Sequence, residues 1–258
     1  MSEDELSGGL PRSVLIVTDQ RYLQIAQSPE GVGLLDDPDA LVIPYSGRAQ
    51  VNEALVSAVR DRLRKAGQLV PGSLLIKNPY DAESFEFAEN AIEAFASAKY
   101  NAMANVARLL GAKEVHFMEA KIETRSQEWQ FGLKVRGKLA KGGGHASNEV
   151  KDQLKAQLTG QLFFPGSDPD IEEAVAYISR RNLTNDQQVK DLVELRSGSN
   201  RITRQLVKIS GTRDSESNFR SAANLANAGP VKMLKAGTTF TKTASMIRNI
   251  EISTEIVF

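Results

Sequence analysis

The chain has 258 residues, 41% of them hydrophobic, with 32 basic and 32 acidic side chains. That suffices for a sizeable core in one large domain or two intimate ones, and the balanced charge gives no global electrostatic case for nucleic acid or an anionic membrane. The absence of cysteine excludes disulfides, thiol nucleophiles, Cys-ligated metals and thiol lipidation.

Residues 1–12 read as a disordered tail, acidic and Ser/Gly-rich, without the basic and apolar blocks of a secretory signal. A cytoplasmic protein is the resulting expectation. No apolar run approaches the roughly 18–20 residues of a spanning helix. Insertion by strands stays open, since a spanning strand needs only about 9–11 residues with one apolar face.

Ser13 to Thr18 is β-rich and predicts the first strand, with Tyr22 to Ala26 as a pairing partner and Ser28 to Asp39 as a Pro/Gly/Asp loop. Ala40 to Pro44 predicts a buried strand. A helix follows from about Ala49 to Ala66, with Val51, Leu55, Val59 and Leu63 four apart and Gly67 as C-cap. Leu74 to Ile76 is a third buried run. The longest helix is capped by Asp81 or Ser84 and buries Phe87, Ala91, Phe95, Ala98, Ala102, Val106 and Leu109 or Leu110 before Gly111. This alternation of strand and helix predicts a small, partly parallel sheet.

From Glu114 onward the period changes to two. Val115 and Phe117 share one phase, and Met118, Ala120 and Ile122 the other, which predicts a strand buried on both faces at its start. Trp129, Phe131, Leu133, Val135, Gly137 and Leu139 then alternate with Gln130, Gly132, Lys134, Arg136 and Lys138. After a flexible Lys141-Gly142-Gly143-Gly144 tip, Leu154, Ala156, Leu158, Gly160 and Leu162 keep the same period. Val150, Leu154 and Leu158 are also four apart, a helical spacing, but the continuation through Thr159, Gly160 and two Phe favours a strand. The pair predicts a long amphipathic hairpin with Lys134, Arg136, Lys138 and Lys141 near its tip.

Asp168-Pro169-Asp170 starts a helix that buries Ile171, Val175 and Ile178, and a second helix runs from about Asp186 to Arg196 behind an Asn185 cap. A strand over Ile202 to Ile209 and a short Ala/Asn-rich helix ending at Gly229-Pro230 follow. Ile250, Ile252, Thr254, Ile256 and Phe258 alternate with polar residues in a last strand zipped into a sheet. The fold class read from this order is α+β, with a mixed, mainly antiparallel twisted sheet, packed helices and the two-helix segment as an appendage. Residues 13–258 are expected to form one domain, with a possible subdivision at 112/113.

Chemistry-bearing residues are sparse. His116 sits inside a strand and His145 in the glycine tip, and neither has a second ligand at metal spacing. Gly142 to Gly144 lacks the downstream residues of a phosphate loop. Asp36, Asp37 and Asp39, and Asp168 with Asp170, could offer oxygens to a divalent cation, against plainer roles in turns and caps. No catalytic residue, cofactor or metal is assigned.

Two resemblances bear on function. Leu41-Val42-Ile43-Pro44, the helix beginning near Ala49, Gly67 and the run Leu109 to Val115 resemble the element order of macro domains, which bind ADP-ribose. The Asn-rich turn and Gly-rich ligand loop of that family are absent, so no ligand residue is carried over. The hairpin is similar in pattern to those of β-barrel pore formers such as gasdermins and the perforin group.

The expected function is therefore a non-enzymatic intracellular interaction or assembly protein. In its sharpest version the 129–162 hairpin inserts into a membrane, with Trp129, Phe131, Leu133, Val135, Leu139, Leu154, Leu158 and Leu162 as the apolar face. The plainer reading of the same residues is a face turned to the core. The C-terminal strand and the hairpin both offer edges to a second copy or a protein partner. A nucleotide- or ADP-ribose-binding enzyme built on the front portion is the alternative.

Overall fold

The computed structural model describes residues 10–46, 54–81, 83–124, 128–132, 154, 158, 160–210, 215–227 and 247–258. The protein is α+β, and its chain divides into two compact units, each assembled from separated segments. Residues 1–78, 82–91 and 216–244 make the first, and 79–81, 92–215 and 245–258 the second.

The first unit holds a four-stranded sheet in the order β2-β1-β3-β4, from β1 (Ser13–Val17), β2 (Ala40–Pro44), β3 (Leu74–Lys77) and β4 (Phe85–Phe87). β1 and β2 are parallel, whereas β3 and β4 are antiparallel to their neighbours. A parallel pair needs a crossover, and it is supplied by α1 (Asp19–Ala26) and α2 (Pro29–Leu35). The expected strand over Tyr22 to Ala26 is therefore helical. Thr18 decides this, because its hydroxyl caps the first turn by accepting the Arg21 N–H, with Asp19 favourably placed in that turn. Ser28 likewise caps α2 within the expected loop, accepting the Gly31 N–H at 3.0 Å.

β1 is buried along its whole length. Val14 and Ile16 join Leu41, Ile43, Leu75 and Phe85 in a core closed by Val56, Val59 and Leu63 of α3 (Ala54–Lys65). Burying a residue such as Ile16, which is 0% exposed, contributes about 1.5–3 kcal/mol. A late helix, α7 (Glu216–Asn227), is fastened to the same sheet by polar side chains. Its Asn218 amide donates to the Lys77 carbonyl at 2.8 Å, and Ser221 Oγ reaches both the Asp39 carbonyl and Ser13 Oγ.

The longest helix, α4 (Ala91–Leu109), starts later than its sequence suggests, because Phe85 to Phe87 forms β4 instead. It belongs almost entirely to the second unit. Gly111 ends it at φ +87°, with the Ala112 N–H bonded back to the Ala107 carbonyl in a Schellman closure. A Cβ at Gly111 would lie 2.2 Å from the Ser167 carbonyl oxygen. Gly111→Ala is thus expected to cost at least about 2 kcal/mol, read as a lower denaturant midpoint.

The second unit's sheet has the order β6-β5-β9-β8, with β7 also pairing to β5. Its strands are β5 (Glu114–Thr124), β6 (Glu128–Gly132), β7 (Gln161–Phe163), β8 (Arg204–Ser210) and β9 (Ile247–Val257). The phase change after Phe117 is a β-bulge at Met118. An extra residue there keeps Val115, Phe117 and Ala120 on one face, opposite Ile256, Thr254 and Ile252. The expectation of a strand start buried on both faces is corrected accordingly, since Glu114 and His116 of the other face are only partly buried. β9 is zipped in as expected, and it is an interior strand rather than an edge.

Two further helices belong to this unit. In α5 (Ile171–Arg180), Asp170 accepts the Glu173 N–H, and the buried residues are Ala174 and Ile178, with Val175 exposed. In α6 (Gln187–Ser197), Asp186, one residue after the expected cap, accepts the N–H groups of Gln188 and Val189.

Candidate functional site

The structure disperses the residues of the expected hairpin. β6 and β7 both pair antiparallel with β5, at different stretches of it, and among the described residues they do not pair with one another. In β6, Trp129 stands opposite Ile122 and Phe131 opposite Ala120, a residue that is 0% exposed. Leu154 and Leu158 are helical and buried, so the expected return strand shrinks to β7. Their four-residue spacing carried the helical signal, and the period of two was coincidental over that stretch. Leu162 lies in β7 and is exposed. Leu133, Lys134, Val135, Arg136, Lys138, Leu139 and Lys141 lie outside the described residues, as do Gly142 to Gly144 and His145.

What the second unit does present is a sheet with apolar side chains at both margins. At one margin β8 is outermost, and among the described residues no strand pairs with its far side. Its alternation buries Val207 and Ile209 on one face and presents Arg204, Leu206 and Lys208 on the other. Leu206 is 54% exposed and stands opposite Glu255 of β9. Cross-strand ion pairs flank it, Arg204 to Glu255 at 3.8 Å and Lys208 to Glu251 at 3.3 Å. Being exposed, each is worth at most about 1 kcal/mol.

At the other margin β7 carries Leu162 and Phe163, the latter 66% exposed. The Phe163 ring meets His116 edge-on at 6.3 Å between centroids, and His116 Nε2 lies 2.6 Å from Glu114 Oε2. This histidine therefore holds an acid and an aromatic ring in place.

Of the five acidic candidates, Asp36 stands at the C-cap of α2 and the other four are structural. Asp37 accepts the Asp39 N–H, Asp39 pairs with Arg12, Asp168 pairs with Arg201 and Asp170 caps α5. Among the described residues, no group of three or more His, Asp or Glu is placed to hold a metal ion. No helix among them is long and apolar enough to cross a membrane.

Two buried cations escaped the sequence reading. Lys99 of α4, 2% exposed, meets Asp186 at 2.6 Å, donates to the Ser210 carbonyl at 2.9 Å and lies 5.7 Å from the Tyr80 ring centre. Arg196 of α6 donates twice to the Leu110 carbonyl and once to that of Ile202, and stacks on Phe258 at 4.2 Å. Burial pushes its pKa down from the ordinary guanidinium value, with Arg201 adding to the effect and Asp168 opposing it. Both lie on apolar phases, Lys99 four residues after Phe95 and Arg196 four after Leu192. A charge on the buried stripe is the signal that could have found them.

In the first unit a shallow cleft of about 330 Å³ opens past the carboxyl end of β2, lined by Tyr45, Ser46, Arg64, Gly67 and Leu69. The Ser46 N–H is fixed by Asp19 Oδ1 at 3.1 Å. No family model, curated protein or solved structure matches the chain.

Proposed function

We propose that this is a non-enzymatic assembly protein whose second unit associates by strand addition at its sheet margins. The observation that carries the reading is β8, the outermost strand among the described residues, with Leu206 exposed at its centre. Unpaired N–H and C=O groups on such an edge are a template for another strand. Leu162 and Phe163 mark the opposite margin, so the complementary surfaces differ and a head-to-tail contact follows. Head-to-tail contacts build rings or open filaments rather than closed two-fold dimers.

Mass photometry over a concentration series tests this. Oligomers are expected to grow with concentration, and Leu206→Lys or Phe163→Asp should weaken association about tenfold or more, equivalent to about 1.4 kcal/mol per contact. A strictly monomeric protein would overturn the reading. Membrane insertion by residues 129–162 is the sharper form of this function. Dye release from liposomes that is abolished by removing residues 141–148 would support it, and no release at any lipid composition would sink it.

The cleft beyond β2 favours a second reading, a nucleotide- or ADP-ribose-binding enzyme. Open α/β sheets take ligands outside the carboxyl ends of their parallel strands, which is where Tyr45, Ser46 and Arg64 stand. A thermal shift with ADP-ribose, lost in Arg64→Ala, would favour it over assembly.

A further inference from the structure

The first unit carries a different surface, on the solvent side of α3. Leu10, Ala58 and Ala66, with Asp61, Arg62 and Lys65, line a groove of about 620 Å³ whose floor is largely apolar. Basic side chains crowd around it. The Lys77 ammonium donates to the Leu10 carbonyl at 3.4 Å, and Arg12, Arg62 and Arg64 stand close by, paired with Asp39, Glu83 and Asp61. Among the described residues of that set each acid is already matched to an arginine, which leaves Lys65 and Lys77 as its surplus charge. Burial and then the fields of Arg12 and Arg62 push the Lys77 pKa down.

A greasy trough rimmed by surplus cations has one natural complement. We propose that this groove docks an acidic peptide segment bearing a leucine-type anchor, with the anchor between Ala58 and Leu10 and its carboxylates toward Lys65. Apolar burial supplies most of the affinity in such a contact, and the charges supply steering and choice of partner. Nucleic acid, which would also seek the cations, finds no use for the apolar floor. The surface belongs to the first unit, whereas strand addition uses the second.

The probe is a fluorescein-labelled peptide, Glu-Asp-Leu-Glu-Asp-Leu-Glu, titrated with the full chain and followed by anisotropy. Binding in the range of about 1–100 µM is expected, weakening as salt rises past the point where the screening length falls to a few ångströms. Lys65→Glu should weaken it about tenfold, and Ala58→Arg, which fills the trough from a partly exposed helix position, should remove it. Both variants should keep the parent melting temperature.

Equal binding of a counterpart with lysine in place of every acid, or no response to either substitution, would overturn the proposal. So would the absence of binding. If the peptide binds only after residues 1–9 are deleted, the chain's own Glu3-Asp4-Glu5-Leu6 run is the occupant and the partner is wrongly assigned.

Discussion

Replacing Lys99 by methionine is expected to destabilise the second unit by about 3–5 kcal/mol, because Asp186 would keep a charge, 11% exposed, without its counter-ion. Asp186→Asn is the cleaner partner variant. Asparagine caps helices as well as aspartate does, so α6 keeps its first turn and only the charge is lost. The loss is read as a lower denaturant midpoint for the second unit in a urea titration. Combining Lys99→Met with Asp186→Asn should recover part of the loss, since neither member of this pair then keeps a charge. Singles that each cost under about 1 kcal/mol would show that water reaches the pair.

Arg196→Met is the second large effect. Methionine approximates the aliphatic stem but leaves the Leu110 and Ile202 carbonyls without the guanidinium and removes the stack on Phe258. Each buried acceptor left unsatisfied costs about 1–3 kcal/mol, so the sum is expected near 3–5 kcal/mol in the same titration. Arg196→Lys should rescue little of it, because a point charge cannot span two carbonyls and a ring face as a planar fork does. Full rescue by lysine would mean that charge alone matters there.

These two residues also mark where a sequence stops being legible. Periodicity exposed β5, β9 and α3 because their apolar residues repeat in register with one buried face. The bulge at Met118 hid in plain view as a phase break, since a period of two cannot show that a backbone has gained a residue. Leu154 and Leu158 satisfy both periods, and only packing chose the helix. Tyr22 to Ala26 has strand-like composition, and the Thr18 cap overrode it. For the candidate site, the wish for exposed strand edges was legible but their address was not. Strand order depends on pairings distant in sequence, and these made β9 interior and left β8 outermost.

The segment order of the two units has a bearing on synthesis. The first unit lacks α7 until the ribosome has passed Asn227, and the second lacks the strand joining β5 to β8 until it has passed Val257. No single cut in the chain yields either unit whole. Folding must therefore wait on late segments, and a nascent chain halted before Ile247 would display β5 and β8 with bare flanks toward each other. Cells making this protein are expected to need a holding chaperone during translation, in proportion to how long that last stretch is delayed.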